Sequence, residues 1–160
     1  MQAESSQMDI IVHRVFPIGG GLRLATAAAP SQRKAKLRVL VVEDDEADVY
    51  LIRRALANNP RIQEVVVARD GVEALELIES WSAAPDLAIV DLHMPRKDGF
   101  ALLRDFSMRK SDPFPAVVLT SSKAGADAFR SKKRGAVEFV TKPNTVEKLT
   151  TALDQVISRI

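Results

Sequence analysis

From residue 37 onward, short runs of aliphatic and β-branched residues alternate with longer amphipathic stretches. The runs Leu37–Val42, Glu64–Ala68, Leu87–Asp91, Ala116–Thr120 and Val137–Thr141 predict strands. Apolar residues spaced at i, i+3, i+4 and i+7 predict helices near Glu46–Ala57, Gly71–Trp81, Gly99–Lys110, Ala124–Arg134 and Val146–Ser158. The unit strand-then-helix therefore occurs five times. Leu-Arg-Val-Leu-Val-Val and Leu-Ala-Ile-Val are apolar nearly throughout instead of alternating, which suits a parallel sheet covered on both faces. Short connections and right-handed crossovers then give an α/β fold, a (βα)5 doubly wound five-stranded parallel sheet. In such folds a ligand site lies outside the carboxyl ends of the strands.

Residues 1–36 lack either period, contain Gly19-Gly20-Gly21 and run through an Ala-, Pro- and Ser-containing stretch into Arg33-Lys34-Ala35-Lys36. They read as a flexible, disordered basic N-terminal extension, and residues 37–160 as one folded domain. Three origins stay open for the extension: a floppy tail, extra residues from an upstream start, or a targeting segment. Ala25–Pro30 has the small residues of a cleavage site, but His13, Arg14 and Arg23 interrupt the apolar run a secretory signal needs.

Charge sharpens that division. The extension holds five basic residues against Glu4 and Asp9, a net of +3 in a chain whose total is +2, so the remainder carries −1. A nearly neutral body gives no electrostatic reason to expect nucleic acid as its partner. The chain has no cysteine, which removes disulfides, thiolate metal sites and cysteine nucleophiles and fits a reducing cytoplasm. Charges break every hydrophobic stretch before the roughly 18 to 20 residues of a membrane span, so no membrane association is expected.

The residues standing at or just past the predicted strand ends carry the chemistry. They are Glu43, Asp44 and Asp45 after the first strand, Asp91 at the third, Thr120 and Ser121 at the fourth, and Lys142-Pro143 after the fifth. Each has a plain structural alternative: helix capping for the acids, with Asp45 and Glu46 as candidates, turn chemistry for Asp91 and Pro143, and solvation for the lysine. Their convergence at one edge of one sheet is what those alternatives explain poorly. Clustered carboxylates repel unless a cation sits among them, and a few hard oxygen donors suit Mg2+, which keeps several waters. Asp44 and Asp91 would hold the ion. A carboxylate beside it can attack phosphorus, with Lys142 and the Thr120 hydroxyl serving the phosphoryl oxygens.

Four strings in order give the chain a family resemblance. LRVLVVEDDEADVYLIRRAL, PDLAIVDLHMPRKDGFALL, AVVLTSS and AVEFVTKPNT resemble the acidic loop, phosphoacceptor segment, switch strand and final Lys-Pro strand of response regulator receiver domains, over residues 37–159. In the second string Asp91 is followed four residues on by Pro95 and eight on by Gly99. The resemblance implies the flavodoxin-like receiver fold of two-component signalling, with Asp91 the phosphoacceptor. By position it makes Asp44 a direct Mg2+ ligand, Glu43 a ligand through water, and His93 a ligand through its backbone carbonyl. Thr120 and Lys142 become the phosphoryl-binding hydroxyl and amine, and a cis bond before Pro143 is implied. Thr120 and Phe139 match the switch pair, although Phe139 also reads as an ordinary strand aromatic. His93 and Ser122 match the variable positions that tune dephosphorylation. EADVYLIRRAL, KDGF and LTSS look most like the small regulators that pair with bacterial phytochromes and related kinases.

The expected function is that of a single-domain, cytoplasmic response regulator, not a multiple-turnover enzyme. It takes its phosphoryl group from a sensor histidine kinase, of phytochrome type by the narrower likeness, or from a histidine phosphotransfer protein. With no room for an effector domain before Leu37 or after Ile160, its output is expected to be phosphorylation-dependent protein binding, with a homodimer left open and the downstream target unassigned. Three alternatives compete: a degenerate receiver that only binds, a hydrolase with Asp91 as transient phospho-nucleophile and His93 as its acid, and an anchor to nucleic acid or anionic membrane through the basic extension.

Overall fold

The computed structural model describes residues 36–160. The expected extension over residues 1–36 therefore lies outside the described residues, apart from Lys36. Five strands and five helices alternate: β1 (Leu37–Val42), α1 (Glu46–Leu56), β2 (Ile62–Ala68), α2 (Gly71–Ser80), β3 (Leu87–Val90), α3 (Gly99–Met108), β4 (Ala116–Thr120), α4 (Gly125–Lys133), β5 (Ala136–Thr141) and α5 (Val146–Ser158). All neighbouring strands run parallel, in the order β2-β1-β3-β4-β5. The order reverses direction at β1, so the carboxyl ends of β1 and β3 lie side by side at the switch point where such sheets bind ligands.

Burial explains the continuously apolar strands. Leu40, Val42, Ala88 and Val90 join α2 and α3 residues such as Ala74, Ile78, Leu102 and Leu103 in one core layer. Val39, Val41, Leu87 and Ile89 join Ile52, Leu56, Leu153 and Ile157 from α1 and α5 in the other. Successive residues of one strand thus feed opposite layers, and burying each Val, Leu or Ile side chain contributes roughly 1.5–3 kcal/mol.

Helix starts follow from short polar side chains. Asp45, Asp70, Asp98 and Thr145 each accept a backbone N–H from the first turn of the following helix. Of the acids after β1, Asp45 is the cap, which leaves Glu43 and Asp44 for other work.

The structure corrects several element bounds. β2 begins at Ile62, not Glu64, because Ile62 pairs with Leu37 across a register shift that no period-2 pattern shows. β5 likewise gains Ala136 across a shift opposite β4. α2 and α3 stop short of Trp81 and Lys110, since Trp81 and Arg109 turn to extended backbone at ψ 144° and 120°. Among the described residues no helix is long and apolar enough to cross a membrane.

Candidate functional site

The sheet's own ladder delivers the acids. The Glu43 N–H donates to Ala68 O at 3.0 Å and the Asp91 N–H donates to Val42 O at 3.0 Å, so both side chains are fixed by backbone pairing just beyond the strands. Asp91 lies one residue past β3 instead of ending it. Glu43 and Asp91 are buried at 2% and 7% exposure, whereas Asp44 is exposed. One carboxylate oxygen from each of Glu43, Asp44 and Asp91 falls within 4.8 Å of the others.

The lysine arrives from the far edge. The Lys142 N–H donates to Thr120 O at 2.8 Å, extending the β4–β5 ladder by one step. Its Nζ donates to Glu43 Oε2 at 2.7 Å and to Asp48 Oδ2 at 2.6 Å, and lies 3.8 Å from Asp91 Oδ1. The resemblance implies a cis peptide before Pro143, but no cis peptide occurs among the described residues. The Lys142–Pro143 bond adopts the trans form, which is lower in energy even before proline.

Asp91 itself is only half satisfied. Oδ2 accepts the His93 N–H at 3.3 Å, while Oδ1 is buried and has no hydrogen-bond partner. Such an orphan ordinarily costs about 1–3 kcal/mol. The following loop is pressed close: the Gly99 N–H donates to Leu92 O, and a Cβ on Gly99 would stand 2.1 Å from Asp91 O. No other residue fits there without moving the Asp91 backbone. The same loop is tied to the start of α2 by the Arg96–Asp70 ion pair and by Gly71 N–H donating to Lys97 O at 3.3 Å.

Electrostatics fit a cation. One ammonium faces Glu43, Asp48 and Asp91 together, with Asp44 alongside, so negative charge is in excess. Burial, opposed by the Lys142 hydrogen bond and charge, pushes the Glu43 carboxyl up to about 7. Burial disfavours the charged Lys142 too, but the hydrogen bonds it donates to Asp48 and Glu43 and the nearby carboxylate charges overcome it and raise the amine above its ordinary value. The bare Asp91 Oδ1 and the all-oxygen donor set suit a hard divalent ion.

The remaining expected residues lie on β4, on β5 and in the segments that follow β3 and β4. Thr120 is fully buried, and its Oγ1 accepts the Ser122 N–H at 3.4 Å. His93 is exposed, and its contact with Asp91 is made through the backbone N–H. The Ser122 hydroxyl donates to Asp127 Oδ2 at 2.6 Å and accepts the Ala124 N–H. Phe139 pairs with Val118 across the sheet, is half-buried, and lines an open groove with Ala128, Phe129 and Val137. Sequence reasoning missed two partners, Asp48 of Lys142 and Asp127 of Ser122. Both sit in first turns of helices, where an acid is already accounted for by the helix dipole.

A flavodoxin-like α/β domain with acids, a hydroxyl and a lysine along the carboxyl edge of its sheet belongs to the phosphoacceptor signalling class. The response regulator receiver domain family matches residues 39–154. The chain belongs to that family.

Among solved structures, the phosphorylated cyanobacterial phytochrome response regulator RcpA is 32% identical, with a TM-score of 0.70 over 76% of this chain and 91% of that one. The Mn2+-bound response regulator Rcp1 is 27% identical, with a TM-score of 0.67 over 76% and 92%. A protein-glutamate methylesterase/protein-glutamine glutaminase of Anaeromyxobacter dehalogenans is 39% identical over 69% of this chain and 31% of its own length. The chain spans about a third of the length of the methylesterase relatives it matches. The sensor histidine kinase CheAY of Helicobacter pylori is 32% identical over 74% of this chain and 15% of its own length. Receiver domains take a phosphoryl group onto an aspartate, bind Mg2+ or Mn2+ at an acidic pocket, and work with a histidine kinase or phosphotransfer partner.

Proposed function

We propose that Asp91 is the phosphoacceptor of a response regulator that signals by phosphorylation-dependent protein binding. One observation carries this reading: Asp91 Oδ1 is buried, has no hydrogen-bond partner and lies 3.8 Å from Lys142 Nζ, with the Glu43 and Asp44 carboxylates beside Asp91. That oxygen bonds to phosphorus as the P–N bond of a phosphohistidine, or the P–O bond of an acyl phosphate, breaks and the leaving group keeps the electron pair. Glu43, Asp44, Asp91 and the His93 carbonyl would hold Mg2+, which when bound neutralises the phosphoryl oxygens. Lys142 supplies a fixed positive charge to one phosphoryl oxygen, and the Thr120 hydroxyl donates to another.

The Thr120 side chain lies one strand from Asp91 and must turn toward the new oxygens to reach them. Phe139, half-buried beside the open groove, is the ring that fills the space left behind. This motion couples the site to α4 and β5. His93 and Ser122 border the path of the water that hydrolyses the acyl phosphate and so set its lifetime. The kinase partner is of phytochrome type, a reading supported by similarity to RcpA.

Labelling by acetyl phosphate tests the assignment. Wild type should take up acid-stable, base-labile label that disappears in excess chelator, and Asp91→Asn should take up none while keeping its fold. Label persisting on another carboxylate of Asp91→Asn would refute the assignment.

A further inference from the structure

The Lys142 ammonium has three N–H donors and three carboxylates near it, yet it does not sit on the buried acceptor oxygen. It is shared between Glu43 at 2.7 Å and Asp48 at 2.6 Å, and stands 3.8 Å from Asp91 Oδ1, too far for a hydrogen bond. Both anchors are themselves fixed. Asp48 occupies the first turn of α1, where the Asp45 carboxylate accepts its N–H at 3.0 Å, and Glu43 Oε1 accepts the Asp45 N–H at 3.3 Å. At the other end, the Lys142 backbone is held to Thr120 O.

We propose that Asp48 is a positioning residue for phosphoryl transfer: with Glu43 it holds the Lys142 ammonium at a standoff from Asp91. At that distance the acceptor oxygen keeps its lone pairs for attack, and the third N–H of Lys142 remains for an oxygen of the arriving phosphoryl group. The inference rests on Asp91 being the acceptor. Without Asp48 the ammonium loses one of its two close anchors, and Asp91 Oδ1, which has no hydrogen-bond partner, is the nearby anion that collects it. A charge-assisted bond there would tie up the nucleophile and set positive charge where the cation belongs.

The test uses the full chain with Asp48→Ala, Asp48→Asn and wild type. Initial labelling from acetyl phosphate at saturating Mg2+ should fall about tenfold in Asp48→Ala, the scale of one lost hydrogen bond to a charged group. Asp48→Asn, which keeps an acceptor oxygen, should recover most of that rate. The Lys142 ε-methylene resonance should be displaced in free Asp48→Ala, whereas a role confined to stability would leave it in place. A wild-type rate in Asp48→Ala together with an unmoved Lys142 resonance would overturn the inference. If wild type takes no label at all, the acceptor reading fails instead, and the Lys142 resonance still decides whether Asp48 holds the amine.

Discussion

Two helices flank β5, and they are held in opposite ways. α5 buries Leu149, Leu153, Val156 and Ile157 in the layer it shares with α1, and Thr145 caps its first turn. α4 buries only Ser131, whose hydroxyl has no partner, while Phe129 is 62% exposed and Ala124 offers no side-chain cap. What restrains α4 is polar and peripheral: Ser122–Asp127, Arg130 stacked 4.1 Å over the Phe100 ring, and Arg134 Nη1 donating to Phe100 O. The groups proposed to handle the phosphoryl group share this asymmetry. Lys142 is braced toward α1 through Glu43 and Asp48, whereas Thr120, Ser122 and Phe139 face the loosely held side. On the proposed function, chemistry that needs fixed distances sits on the well-packed side, and the segment assigned to the switch sits where few apolar contacts resist motion.

The largest effect expected from this difference is on stability. Leu153→Ala removes a fully buried side chain and should cost about 2–5 kcal/mol in chemical denaturation. Phe129→Ala, made on the exposed face of α4, should stay within about 0.5 kcal/mol. Comparable losses would show that the two helices are equally packed.

A smaller effect comes from the braced side's charge. The Glu43 carboxyl is raised from 4.5 to about 7, so protonated Glu43 favours the fold. That contribution is complete below pH 4.5 and is lost as pH rises through 7, up to about 3 kcal/mol in all. Denaturation of the metal-free protein at stepped pH should show this decline, and Glu43→Gln should flatten it. Ionised Glu43 is also the form that would accept a cation, so Mg2+ affinity should climb as pH rises through 7 and level off above it. Affinity independent of pH across that range would remove Glu43 from the metal site.

The same contrast separates what the sequence disclosed from what it hid. Bounds of β1, β4 and α5 were legible because their apolar pattern is uninterrupted and Thr145 marks a start. Glu43, Asp44, Asp91, Thr120 and Lys142 were legible as a set because parallel strands deliver whatever follows them to one edge. Asp48 was not, because only the docking of α1 brings a first-turn acid from one side of the sheet to a lysine after β5. The weak hold on α4 was also hidden. Its sequence shows a helix, but the burial of Ser131 in place of an apolar residue is a property of packing. The cis bond implied by the Lys-Pro pair was a family expectation that the backbone does not adopt.

Amide hydrogen exchange with and without beryllofluoride, a phosphoryl mimic, tests most directly whether the site's signal leaves through the loosely held side. In wild type, exchange should change across residues 124–141 and stay nearly constant in α1 and α5. In Thr120→Ala, beryllofluoride should still bind at Asp91, while the change across residues 124–141 should disappear. An undiminished change in Thr120→Ala, or a wild-type change centred on α1 and α5, would contradict the coupling of Thr120 and Phe139 to that face.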